Sequence, residues 1–67
     1  MIEVMVLYDG TEVFSLCQDI QHIVPNLSTG SLKQVLSGGG TLQVTDAQYI
    51  SLKGLTKMYG SLEVGPV

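Results

Sequence analysis

The chain has 67 residues, of which 45% are hydrophobic and 13% are charged, and its formal net charge is −3. A chain of this length forms one small domain, and such a domain buries only about 60% of the surface that the unfolded chain exposes. One cysteine excludes an intramolecular disulfide, and one cysteine with one histidine is too few for a structural zinc site. We therefore expect further stabilisation to come from a protein partner or from another copy of the chain.

The composition also argues against nucleic acid and membranes as partners. Three lysines and no arginine leave too few cations for a phosphate backbone. No apolar run approaches the roughly 18 residues of a membrane span, and the first residues lack the basic and then apolar pattern of a secretory signal. We expect a protein partner or a homo-oligomer, no nucleic acid, no membrane and no small-molecule substrate, with the protein inside a cell or inside an assembled particle.

Residues 2–16 predict a β-hairpin. Two β-forming runs, IEVMVLY and TEVFSL, flank an Asp-Gly dipeptide that is typical of a two-residue type I′ turn. Pairing across this turn places Val6 opposite Val13 and Met5 opposite Phe14, so both faces of the hairpin are apolar. Helices can cover one face of so small a domain, and the second face then meets another strand layer or another subunit. Helices on both sides are the alternative.

Two short helices are predicted next, over residues 18–24 and 29–37. A proline follows the first helix and forces the residue before it out of the α region. Ser28 is the expected N-cap of the second helix. Gly38 is expected in the left-handed position after that helix, within a glycine-rich joint at residues 38–40.

Residues 41–64 predict a strand, a helix and a strand. The runs TLQV and SLEV are short strands, and Thr45 with Gln48 forms a capping box at the start of a helix over residues 46–59. A parallel crossover and an antiparallel return to the hairpin edge both fit this order. The prediction is therefore a single α+β domain with the order β-β-α-α-β-α-β.

No catalytic, cofactor-binding or metal site is predicted. Cys17, Asp19 and His22 have the residue types of a nucleophilic triad, but a chain of this length rarely builds the cleft that such catalysis needs. Cys17 is interpreted as a core residue and His22 as an exposed helix residue. The glycines at 38–40 leave a helix and enter a strand, whereas a phosphate-binding loop runs from a strand into a helix. We therefore predict a non-enzymatic protein without a cofactor.

Residues 40–64 carry a resemblance to known proteins. The stretch GTLQVTDAQY, the following Leu-Lys pair and the final SLEV resemble the short accessory proteins of tailed bacteriophages, in which a strand, a Thr- or Ser-capped helix and a last short strand end the chain. The resemblance implies a virion component or a phage-encoded modulator of a host protein.

The first functional expectation is a structural or assembly protein that packs against itself or against a larger particle protein. Tyrosine suits such a contact because it buries a large area with few rotatable bonds. The predicted interface residues on the hairpin are Val4, Val6, Tyr8, Val13 and Phe14.

The alternative expectation is a small acidic inhibitor of a host enzyme. It would bind a basic site through an electronegative hairpin, and its affinity would fall as the salt concentration rises. The acidic residues expected to make this contact are Asp9, Glu12 and Asp19.

Overall fold

Three strands and three helices make up the computed structural model, which describes all residues from 1 to 67. In chain order they are β1 (Ile2–Leu7), α1 (Val13–Ile23), α2 (Thr29–Leu36), β2 (Leu42–Val44), α3 (Asp46–Leu55) and β3 (Glu63–Pro66). The predicted α+β class is confirmed. After β1 the order of helix, helix, strand, helix and strand is also as predicted.

Strand β1 lies at the centre of an antiparallel sheet with the order β2-β1-β3. On one side Val4 is opposite Leu42, and on the other side Val6 is opposite Val64. Because β2 and β3 are both antiparallel to β1, they run parallel to each other with β1 between them. The strand, helix and strand of the C-terminal half therefore form a crossover whose last strand also returns antiparallel to β1.

The helices pack on one face of this sheet around an entirely apolar core. Side chains alternate between the two faces of a strand, and the even-numbered residues of β1 point into the core. Fourteen residues are buried and none of them is polar or charged. The largest fully buried side chains are Leu16, Ile20, Leu32, Leu52, Val4, Val6, Val44 and Cys17.

The predicted second strand of the hairpin is wrong, because the chain from Val13 onwards is helix α1. The local run TEVFSL has strong β-propensity, but the buried residues Leu16, Cys17 and Ile20 recur at helical spacing across the boundary between the predicted strand and the predicted helix. One longer helix buries this stripe against the sheet, whereas a strand would have left it divided between two faces. The predicted helix 18–24 is therefore the second half of α1.

The end of α2 is fixed by a Schellman motif. Gly38 has a φ of +92°, and its N–H donates to the carbonyl of Val35, while the N–H of Gly39 donates to the carbonyl of Gln34. The predicted left-handed role of Gly38 is confirmed. At the other end Ser28 accepts a hydrogen bond from the Ser31 N–H at 3.2 Å, as predicted for the N-cap.

Helix α3 starts with the predicted capping box. The Thr45 hydroxyl accepts from the Gln48 N–H, and the Gln48 amide oxygen accepts from the Thr45 N–H. The Gln48 amide also donates to the carbonyl of Ile23, so the same side chain ties α3 to the end of α1. The helix ends at Leu55 rather than at residue 59, because the next residues form tighter turns with bonds to the third residue back.

Replacing Gly38 with alanine should destabilise the domain by about 1–2 kcal/mol, because an L-residue is strained at positive φ. Gly40→Ala is the matched control, since its φ is not positive and an added Cβ would lie in ordinary contact with Val35 at 3.7 Å. Urea unfolding followed by circular dichroism measures both variants. Equal stability of the two variants would contradict the assigned role of Gly38.

Candidate protein-docking face

One side of the sheet carries no helix, and we call it the outer face. It is formed by the odd-numbered residues of β1 and by their neighbours on β2 and β3, which the register places on the same side. The alternative of helices on both sides is therefore wrong. The outer face consists of Glu3, Met5, Leu7, Thr41, Gln43, Glu63 and Gly65.

The outer face has an apolar centre between two carboxylates. Met5 is 37% exposed and lies opposite Gly65, where no atom stands within 4 Å of the position that a Cβ would take. Leu7 follows on the same strand and is opposite Glu63. At the other end the Glu3 carboxylate accepts a hydrogen bond from the Thr41 hydroxyl. The result is a shallow apolar strip with a negative charge at each end.

A groove of about 710 Å³ continues the outer face at the end of β1. It shares Leu7 and Glu63 with the outer face and extends between the end of α2 and the start of β3. The negative end of the α2 dipole and two carboxylates make it electronegative. The groove is lined by Leu7, Tyr8, Asp9, Leu36, Ser37, Ser61 and Glu63.

The net charge of the protein is located at the outer face and the groove. The three lysines lie on or directly after helices, where three of the six acidic residues balance them. The other three acidic residues, which equal the net charge of −3, are Glu3 and Glu63 on the outer face and Asp9 in the groove. A cationic partner would therefore be drawn to this side of the domain.

The five predicted interface residues do not form one surface. Val4 and Val6 are fully buried under the helices, and Val13 is half-buried at the start of α1. Phe14 is 67% exposed in the first turn of α1. They were grouped by the predicted hairpin, and the grouping is lost because Val13 and Phe14 belong to a helix.

Tyr8 is half-buried and packs inside its own chain rather than at a hairpin tip. Its ring meets Tyr59 edge to face, with 5.8 Å between the centroids. Its hydroxyl accepts a hydrogen bond from the Glu12 N–H at 3.2 Å. A Cβ at residue 10 would lie 2.2 Å from this hydroxyl, so Gly10 is needed for the close approach rather than for a hairpin turn.

Asp19 is also engaged within the chain. Its carboxylate accepts a hydrogen bond from the Tyr59 hydroxyl at 2.6 Å, which joins α1 to the segment after α3. This hydrogen bond, with burial and nearby negative charges, raises the pKa of Tyr59 to about 12. Asp9, Glu12 and Asp19 therefore do not share the electronegative hairpin expected for an inhibitor.

The residues of the considered nucleophilic triad are not brought together. Cys17 is buried in the core, and burial raises the pKa of its thiol despite the nearby Lys33. His22 is exposed, and Asp19 is bonded to Tyr59 instead. No three His, Cys, Asp or Glu side chains are grouped closely enough to hold a metal ion.

Sequence reasoning missed the outer face because it chose candidates from the opposite side of β1. The signal was present in the alternation of this strand, since β-branched residues occupy its even positions and Glu3 occupies an odd one. A charged residue marks the solvent side of a strand. Met5 and Leu7 follow Glu3 on that side.

Comparison with protein-family models, with curated proteins and with solved structures gives no match to this chain. None of the three helices is long and apolar enough to cross a membrane.

Loss of the Tyr59 proton should destabilise the fold at alkaline pH. A raised pKa in the folded state means that this contribution is complete below the ordinary value of 10.0 and is lost as the pH rises towards about 12. Tyr59→Phe should therefore be less stable than the wild type below pH 10 and should lose less stability between pH 10 and 12. Urea unfolding at a series of pH values measures the difference, and parallel curves for the two proteins would contradict it.

Proposed function

We propose that this chain is a non-enzymatic assembly protein that packs against another copy of itself through the outer face of its sheet. The observation that carries the proposal is the apolar strip of Met5 and Leu7, which lies at the centre of an uncovered sheet. An amphipathic element must bury its apolar side against another layer, and this chain has already used all three helices on the inner face.

The shape and composition of the face also support a protein contact. Its centre is apolar, and its charged residues Glu3 and Glu63 lie at the two ends, which matches the apolar core and polar rim of protein interfaces. Edge strand β2 is only three residues long, so the face rather than the strand edge is the larger surface on offer.

The setting that we propose is a phage virion or a phage-infected cell. The support is the resemblance of residues 40–64 to the short accessory proteins of tailed bacteriophages, together with the small size of the domain. A larger particle protein is then a second kind of partner for the same face.

The second candidate function is a small acidic inhibitor of a host enzyme. It is favoured by the position of Asp9 and Glu63 in the groove, where a basic side chain of a partner would meet two carboxylates and the end of α2. This function predicts a monomer that binds its partner less tightly as salt screens the charges. The assembly function predicts association of the pure chain.

Light scattering behind size exclusion, over a wide concentration range, tests the proposal. The wild type should give a mass above the monomer that increases with concentration. Met5→Glu should shift the chain to monomer, because it places a charge at the apolar centre of the face and loses buried apolar area.

Gln18→Glu is the matched control, since it adds the same charge at an exposed position of α1 and should leave the mass unchanged. A wild type that stays monomeric at every concentration would defeat self-assembly and favour the inhibitor. If the Met5→Glu variant still associates, the copies meet through a surface other than the outer face.

A further inference from the structure

The exposed side of α3 is the second surface without a partner. Ile50, Lys53 and Gly54 follow one another at the spacing i, i+3 and i+4, which places them on one side of α3. Lys57 lies in the tight turn just after the helix, where its N–H donates to the carbonyl of Gly54. Leu52 is fully buried on the opposite side. Ile50 is a large apolar residue, and yet its side chain is 69% exposed. We call Ile50, Lys53, Gly54 and Lys57 the α3 ridge.

Nothing within the domain requires a glycine at position 54. An added Cβ would meet no atom within 4 Å, and its φ is not positive, so neither crowding nor backbone conformation requires a glycine. Gly54 lies in the last turn of α3, where alanine is a better helix former than glycine. A close approach by another molecule would account for this glycine, because only glycine leaves the helix backbone uncovered.

The α3 ridge complements the outer face in charge and in form. Two lysines stand beside an exposed isoleucine on the ridge, and two glutamates stand at the ends of the apolar strip on the sheet. Asp46 is the one acidic residue on the same side of α3, and it lies at the helix start, where the dipole favours it. Gly54 on the ridge and Gly65 on the sheet both leave room for close contact.

We infer that copies of the chain assemble head to tail, with the α3 ridge of one copy seated on the outer face of the next. The inference rests on the proposed self-assembly and names the surface that covers the sheet. The ridge supplies the missing helix layer of the neighbouring sheet, and Lys53 and Lys57 face Glu3 and Glu63. Because the two surfaces differ, the contact is heterologous and builds a ring or a filament rather than a closed pair.

Mixing two blocked variants distinguishes this arrangement from a symmetric one. Met5→Glu blocks the outer face and Ile50→Glu blocks the ridge, so each variant alone should be monomeric by light scattering. Each still carries one intact surface, and an equimolar mixture should therefore form a heterodimer of twice the monomer mass and stop there. The two introduced glutamates repel each other, so the blocked surfaces do not create a new contact.

The outcomes separate the two proposals. A monomeric wild type overturns self-assembly and the head-to-tail contact together. A wild type that associates while Ile50→Glu associates equally well overturns only the head-to-tail contact and favours sheet-on-sheet pairing. Two monomeric variants that fail to combine also overturn it. Circular dichroism and a cooperative thermal transition show that each variant is folded.

Gly54→Ala gives a second readout that does not depend on a disruptive charge. Alanine should raise the melting temperature of the domain, because it is a better helix former than glycine. It should also weaken association by about tenfold, which is the size of effect expected when a close contact at the centre of an interface is lost. Gly30→Ala is the matched control, because Gly30 is exposed in α2 and an added Cβ there also meets nothing within 4 Å. It should raise the melting temperature without changing association. Unchanged association of Gly54→Ala would overturn the contact.

Discussion

The central strand β1 is hydrogen-bonded on both edges but covered on one side only. Its even-numbered residues Val4 and Val6 are fully buried beneath three helices, and every other element is arranged around that contact. Fourteen buried residues are the whole core, and none of them is polar. A domain with so small a core has little margin of stability. The same chain has no fourth helix with which to cover Met5 and Leu7 on the other side.

The polar contacts hold the helices in place rather than build a reactive site. Gln48 links the start of α3 to the end of α1, and Tyr59 links the segment after α3 to Asp19. These bonds fix the orientation of α3 and therefore the direction in which Ile50 and Lys53 point. Positive and negative side chains are equal in number on and around the helices, while the outer face and the groove carry the net negative charge. The proposed assembly uses this separation, since the ridge of one copy brings lysines to the glutamates of the next.

Local chemistry predicted the second half of the chain better than the first. The capping box at Thr45, the N-cap at Ser28 and the left-handed Gly38 each depend on a few neighbouring residues, and the structure has all three. The stretch from residue 11 to residue 16 satisfied a strand pattern locally, but burial of the stripe through Ile20 decided for a helix. Strand order could not be predicted, because β1 pairs with two strands that lie about 40 and 60 residues away in sequence.

The outer face could not be predicted for the same reason. With β1 assigned to a hairpin, Met5 was expected opposite Phe14, whereas in the structure it lies opposite Gly65. Only the tertiary pairing shows that Met5 and Leu7 lie on the open side and that Val4 and Val6 do not. The α3 ridge was not predicted either, because the exposure of Ile50 depends on which side of α3 meets the core.

The claim that the outer face is the contact surface between copies is tested most directly by the methyl NMR signal of Met5. With ¹³C-labelled methionine methyl groups, the Met5 signal is assigned from a Met5→Leu variant and followed as the protein is concentrated. Contact through the outer face predicts that this signal shifts or broadens in step with the rise in mass measured by light scattering. A Met5 signal that stays unchanged while the mass rises would contradict contact through the outer face, because the copies would then meet through another surface.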